Sequence, residues 1–82
     1  MYSKRNKYEP LGEYLQKTKK DEITLTFSQI EEIIEDNLPV SASKYQAWWV
    51  NGGHAHSDAW TEYGYKTSEL DLAGRKVTFI KG

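Results

Sequence analysis

The chain has 82 residues and a formal net charge of −1 at pH 7, so we expect a single domain without a global attraction to nucleic acid. It contains no cysteine, which excludes disulfides, thiolate zinc sites and cysteine nucleophiles and suits a reducing cytoplasm. No apolar run is long enough to span a bilayer, and no signal peptide is evident, so a cytoplasmic protein without a membrane partner is expected.

The N-terminal residues 1–7 are basic and polar and offer little apolar surface, so a flexible segment is expected there. Residues 8–82 are expected to form the domain. Three Trp, six Tyr and two Phe supply large side chains that can build a core in a short chain.

The first helix is predicted from Pro10, a residue suited to the first turn because its missing N–H costs nothing there. Leu11, Tyr14 and Leu15 follow at the i, i+3, i+4 spacing of one helix face. The segment after it alternates apolar and Thr residues from Ile23 to Phe27, which predicts a strand buried on one face.

A second helix is predicted to start at Ser28, because Ser28 and Glu31 have the spacing of a capping box. In that arrangement the Ser hydroxyl accepts from the Glu31 N–H and the carboxylate reaches back. The apolar face of this helix consists of Ile30, Ile33 and Ile34. The helix is predicted to end at residues 37–39.

A third helix is predicted over residues 42–50, capped by Ser41, with Tyr45, Trp48 and Trp49 at i, i+3, i+4. Adjacent helical residues point about 100° apart, so one narrow stripe cannot bury both indoles. Trp48 is assigned to the core and Trp49 to a contact surface, although both could pack inside an aromatic-rich core.

A fourth, short helix is predicted over residues 57–63, with Gly64 after it in a left-handed conformation. The remaining chain predicts a hairpin, since Leu70 and Leu72 alternate before an Ala73-Gly74 turn and Val77 and Phe79 alternate after it. The first strand can pair with this hairpin to form an antiparallel sheet.

The predicted fold class is therefore α+β, with three to four short helices and a three-stranded antiparallel sheet. The order of elements is winged-helix-like, with one extra short helix, and this likeness is one of element order only. The predicted core consists of the following residues: Leu15, Ile23, Leu25, Phe27, Ile30, Ile34, Leu38, Trp48, Trp60, Leu72, Val77, Phe79.

The chain also resembles a widespread bacterial domain family of unknown function. The resemblance is carried by seven short stretches distributed between Phe27 and Phe79. The family implies a bacterial source, and it brings no established activity. The stretches are these: Phe27 to Glu31, Leu38-Pro39, Ser41-Ala42, Trp48 to Asn51, Ala59-Trp60, Gly64-Tyr65 and Val77 to Phe79.

No catalytic residue, cofactor or metal is predicted. His54, His56 and Asp58 are types that bind zinc, but a strong site needs three or four ligands in fixed geometry, and no further His or Cys exists. Ser28 and Ser41 lie where helix caps are wanted and lack a nucleophile elbow. The neighbouring carboxylates of the second helix are interpreted as a solvated face.

The leading hypothesis is a non-catalytic recognition module that binds DNA or RNA or regulates a protein that does. Phosphate contacts require Lys and Arg on one face, and polar and aromatic side chains among them read or stack on bases. Asn51 is included because Asn can pair with adenine, although a structural role at a helix end is equally compatible. The candidate surface contains Lys4, Arg5, Lys7, Lys44, Trp49, Asn51, Lys66, Arg75, Lys76.

The alternative hypothesis is a protein–protein adaptor, including one that self-associates. It rests on the net charge near zero, the surplus of Trp and Tyr, and a bipolar charge distribution. The first twenty residues are mainly basic, whereas residues 21–37 carry only acidic charges. Salt separates the two hypotheses, because only nucleic-acid binding weakens steeply through counterion release.

Overall fold

The computed structural model describes residues 8–51 and 57–82. It contains four α-helices, a 3₁₀ helix and a three-stranded antiparallel sheet, which confirms the predicted α+β class. In chain order the elements are α1 Glu9–Thr18, β1 Glu22–Thr26, α2 Phe27–Ile34, α3 Val40–Lys44, the 3₁₀ helix η1 Gln46–Trp49, α4 Asp58–Thr61, β2 Tyr65–Asp71 and β3 Lys76–Lys81.

The sheet has the strand order β1-β3-β2, so the last strand lies in the middle and pairs antiparallel with both neighbours. One face carries the predicted apolar alternation of β1 and β3 into the core, and Thr24 and Thr78 lie opposite each other on the other face. Their hydroxyl oxygens are 2.8 Å apart. A bulge between Thr67 and Glu69 interrupts the register of β2 with β3.

Helix α1 begins as predicted, with a proline in its first turn. Leu11 and Leu15 are buried, whereas Tyr14 remains 38% exposed at the side of the same face. Gly12 is buried as well, and a Cβ atom there would overlap the Ala59 carbonyl oxygen and the Tyr63 ring. The absence of a side chain at this position therefore lets α1 approach α4 closely.

The predicted cap of α2 is wrong by two residues. Thr26 is the N-cap: its hydroxyl accepts from the Gln29 N–H at 3.0 Å, and the Gln29 side chain accepts from the Thr26 N–H at 2.8 Å. Ser28 lies exposed in the first turn. The Glu31 carboxylate instead accepts from the Leu38 N–H at 2.8 Å, which ties the segment after α2 back to the helix.

The single helix predicted over residues 42–50 is also wrong. The chain forms α3 and η1 with a break at Tyr45, which has φ −120° and ψ 123°, and Pro39 rather than Ser41 is the N-cap of α3. The break turns Trp49 back across α3, so that its indole N–H donates to the Ala42 carbonyl at 2.7 Å. Trp49 is thereby buried, whereas Trp48, the preceding residue of the same 3₁₀ helix, points in another direction and is only partly buried.

Helix α4 is shorter than predicted and is followed by a turn that ends at Gly64, whose φ of +85° confirms the left-handed conformation expected there. The hairpin turn occupies residues 72–75 and includes Ala73 and Gly74, as predicted. Leu72 therefore lies in the turn rather than in a strand.

A row of four aromatic rings forms the centre of the core. Phe27 stacks on Trp49 with ring centroids 5.2 Å apart, Trp49 on Trp60 at 5.9 Å, and Trp60 packs against Phe79 at 5.6 Å. The predicted core residues are buried, except that Leu38, Trp48 and Leu72 pack against it only partly buried. The core also includes residues that were not predicted: Leu11, Ala42, Trp49, Ala59, Tyr65.

Candidate functional site

The basic residues proposed from the sequence are dispersed over the described structure. Lys44 ends α3, whereas Lys66 and Lys76 lie in the hairpin, and all three side chains are exposed. Lys4, Arg5 and Lys7 fall outside the described residues.

The two hairpin lysines do not form a continuous basic surface. Lys66 is opposite Ile80 on β3, so it lies about 13 Å from Lys76 along the strand at about 3.3 Å per residue. Lys76 is opposite Asp71, and Glu69 lies between the two lysines on β2. Carboxylates placed among the lysines lower the local positive potential that phosphate contacts need.

Arg75 has a structural role in the hairpin turn. Its backbone is left-handed, with φ 56°, and its carbonyl accepts from the Phe27 N–H at 2.8 Å. Its guanidinium lies over the Phe27 ring, 5.6 Å from the centroid, at a distance typical of cation–π contact. The sequence suggested Arg75 as a candidate phosphate contact, whereas in the structure its guanidinium packs on Phe27.

The assignment of Trp49 to a contact surface is wrong. Trp49 is only 2% exposed, its ring is stacked between Phe27 and Trp60, and its indole N–H is bonded to the main chain. Trp48, which was assigned to the core, is the more exposed of the two and packs edge-on against Trp49 with centroids 4.7 Å apart. Stacking of Trp49 on a base would require the core to open.

Asn51 uses its side-chain amide within the fold. Its Oδ1 accepts from the Thr67 N–H at 2.8 Å and from the Trp60 indole N–H at 3.0 Å, and its Nδ2 donates to the Thr67 carbonyl at 3.2 Å. The amide thus pairs with Thr67 as a neighbouring strand would. This geometry favours a structural role for Asn51 over a role in base recognition, because pairing with adenine would break these hydrogen bonds.

The suspected metal ligands His54 and His56 lie outside the described residues, and Asp58 is exposed at the start of α4. Within residues 8–51 and 57–82, no group of three or more His, Asp or Glu side chains is placed to hold a metal ion. Every buried side-chain nitrogen or oxygen of the described structure has a hydrogen-bond partner.

A groove of about 180 Å³ lies between η1 and the edge strand β2. We call it the β2 groove. Its apolar walls come from Trp49, Val50 and Leu70, and Glu69 is the charged residue of its lining. No sequence pattern indicates this groove, because the bulge at Thr67 to Glu69, which forms one wall, leaves no signal in the alternation of β2. Its full lining is Gln46, Trp49, Val50, Thr67, Ser68, Glu69, Leu70.

Exposed apolar side chains gather in the segment that carries η1. Val40 is 68% exposed, Tyr45 60% and Val50 42%, and Val50 itself lines the β2 groove. Among the described residues, Tyr14 on α1 is the other large apolar side chain with comparable exposure. Of these side chains, Val50 is the one that places exposed apolar surface at a concave site.

Three broader depressions lie elsewhere on the described surface. One lies over Thr24 and Thr78 on the sheet face opposite the core, and one lies beside Tyr14 on α1. The third has a volume of about 560 Å³, lies at the exposed side of α2 and is the most acidic of the three. It is lined by Ser28, Glu31, Glu32, Glu35, Asp36 and Asn37.

These features define a small α+β domain with dispersed basic residues and with a groove of mixed apolar and polar lining beside an edge strand. The chain belongs to a family described as a domain of unknown function, DUF7662, whose model matches residues 8–82. Comparison with curated proteins and with solved structures gives no significant match. No helix in the described part of the chain combines the length and apolar character needed to cross a membrane.

Proposed function

We propose that this domain is a non-catalytic recognition module that binds a segment of a partner protein in the β2 groove. The observation that carries the proposal is the continuity of the groove with exposed apolar surface at Val50. Apolar side chains exposed at a concave site lose water on binding, and each Å² removed from water contributes about 25 cal/mol.

The lining indicates the chemistry of the bound segment. A groove of about 180 Å³ has room for a side chain rather than for a drug-sized ligand, whose pockets span roughly 300–1,000 Å³. Val50 and Leu70 favour an apolar side chain, and Glu69 favours a Lys or Arg beside it. The expected ligand is therefore a short extended peptide with an apolar residue next to a basic one.

The experiment is a screen of a random peptide library on the immobilised domain, followed by affinity measurements on enriched sequences. Val50→Glu places a charge at the groove and should reduce the affinity at least tenfold. Tyr14→Ser removes an exposed aromatic of similar accessibility on α1 and should leave the affinity unchanged. Peptides that bind Val50→Glu as tightly as the parent, or a screen without enrichment, would overturn the proposed site.

Nucleic-acid binding is the second candidate, supported by the winged-helix-like order of elements and by exposed Lys66 and Lys76 on the terminal hairpin. One observation opposes it. In the winged-helix order, the helix before the hairpin is the recognition helix, and here that helix is α4. The exposed residues at its two ends, Asp58 and Glu62, are acidic and would repel phosphates. The dispersal of the lysines among carboxylates makes this candidate the weaker one.

The two candidates separate in a binding assay with labelled single-stranded and duplex DNA and RNA at low salt. Nucleic-acid binding predicts retention that falls steeply with salt and is reduced by the double substitution Lys66→Gln and Lys76→Gln. Glutamine is used because Glu at position 76 would oppose Asp71 directly. Arg75 is left unchanged because of its contact with Phe27.

A further inference from the structure

The outer edge of β1 carries main-chain groups that point away from the sheet. The Asp21 carbonyl accepts from the Lys81 N–H and the Phe27 N–H donates to the Arg75 carbonyl, both at 2.8 Å. Every second residue from Asp21 to Phe27 therefore directs its main-chain groups towards β3. The residues between them, including Glu22 and Thr24, therefore direct their N–H and C=O groups outward. No strand of the described structure pairs with this edge.

Both ends of this edge are closed by local hydrogen bonds. At the end of β1, the Thr26 N–H donates to the Gln29 side chain at 2.8 Å. Before β1, the Lys20 N–H donates to the Thr18 hydroxyl at 3.3 Å and the Lys20 carbonyl accepts from the Tyr65 hydroxyl at 2.7 Å. The open part of the edge is thus confined to Glu22 and Thr24, within the part of the chain that the structure describes.

We propose that this edge pairs with the same edge of a second copy of the chain, antiparallel, with the two-fold axis at Ile23. Glu22 then lies opposite Thr24 of the second copy, and the reverse, so that four main-chain hydrogen bonds satisfy all the open groups of both edges. With the axis at Thr24, the Thr26 N–H would have to donate to Glu22 of the second copy. That N–H already donates to the Gln29 side chain.

Charge complementarity favours a second copy as the occupant. Three lysines precede β1: Lys17, Lys19, Lys20. Acidic residues line α2, which follows β1, and the residue that ends it: Glu31, Glu32, Glu35. Antiparallel pairing sets the basic start of one β1 beside the acidic continuation of the other. Glu22 meets a threonine rather than a like charge, and a net charge of −1 adds little repulsion between copies.

The dimer is independent of the β2 groove, since β1 and β2 are opposite edges of the sheet. Pairing through β1 joins two sheets into one of six strands and leaves a groove at each far edge. The assembly presents two copies of the groove, which would raise the apparent affinity for a partner that carries two binding segments.

Sedimentation equilibrium over a wide concentration range tests the dimer. The parent chain should show a monomer–dimer equilibrium, and Thr24→Pro should abolish it, because proline removes an outward N–H that the β3 ladder does not use. Thr24→Val is the matched control: it removes the hydroxyl contact with Thr78 but keeps the N–H, so the dimer should persist. A parent that stays monomeric throughout, or a folded Thr24→Pro that still dimerises, would refute the proposal.

A second measurement fixes the register even if Thr24→Pro does not fold. The chain has no native cysteine, so Glu22→Cys and Thr24→Cys introduce unique thiols. The double variant should form a disulfide-linked dimer on mild oxidation much faster than either single variant, since only unlike positions lie opposite each other. Equal rates for the three variants would contradict the axis at Ile23.

Discussion

Thr26 and Ser28 each begin a four-residue stretch with the spacing of a capping box, and only the first one caps α2. The choice is made by the strand before it. Leu25 still pairs with Val77, and the Phe27 N–H still bonds to Arg75, so the helix begins where Phe27 turns its ring into the core. Sequence spacing alone leaves the two registers equivalent, because it contains no information about where β1 ends.

We predict that Thr26→Ala lowers the free energy of unfolding by about 1 kcal/mol, the usual contribution of an N-cap side chain. Ser28→Ala should change it by less than about 0.5 kcal/mol, as expected of an exposed position without such a role. Urea denaturation of both variants measures the difference. If Ser28→Ala were the more damaging of the two, the capping register described above would be wrong.

At the scale of elements, the approach of α1 to α4 depends on Gly12. Glycine within a helix ordinarily costs about 1 kcal/mol relative to alanine. Here the Ala59 carbonyl and the Tyr63 ring occupy the place of a Cβ atom, and a backbone oxygen cannot rotate away as a side chain can. The sequence presents Gly12 as an ordinary helix position, because the element that packs against it lies more than forty residues further along.

We therefore expect Gly12→Ala to destabilise the domain by about 1–3 kcal/mol, the range for overpacked interiors, despite the gain in helix propensity. Gln16→Ala on the exposed side of the same helix should be neutral or slightly stabilising. Thermal melts of the two variants provide the comparison. A Gly12→Ala protein that melts higher than the parent would mean that α1 and α4 can separate without loss.

At the scale of the whole molecule, the aromatic row joins all layers of the fold. Phe27 begins α2, Trp49 ends η1, Trp60 belongs to α4 and Phe79 to the central strand β3. A chain of 82 residues buries a smaller fraction of its surface than a larger domain does. Large stacked rings compensate, since they remove much apolar area from water and link elements that are distant in sequence.

Phe27→Ala should lower the free energy of unfolding by about 3–5 kcal/mol, as is usual for a buried phenylalanine. The loss combines the cavity with the contacts to Trp49 and Arg75. Tyr14→Ala, at an exposed aromatic, should cost much less. Denaturant midpoints give both values, and similar losses for the two variants would show that the row is not the centre of stability.

The local patterns of the sequence determined the class of the fold, the presence of the first strand and the hairpin, the start of α1, the turn at Gly64 and most of the buried positions. These depend on period, propensity and capping within a few residues, which the sequence displays directly. The tertiary structure decided which tryptophan is buried, where α2 begins, the break at Tyr45 and the pairing of Asn51 with Thr67. Each of these depends on contacts between distant segments, and the dispersal of the lysines and the β2 groove arise only when the strands are in register.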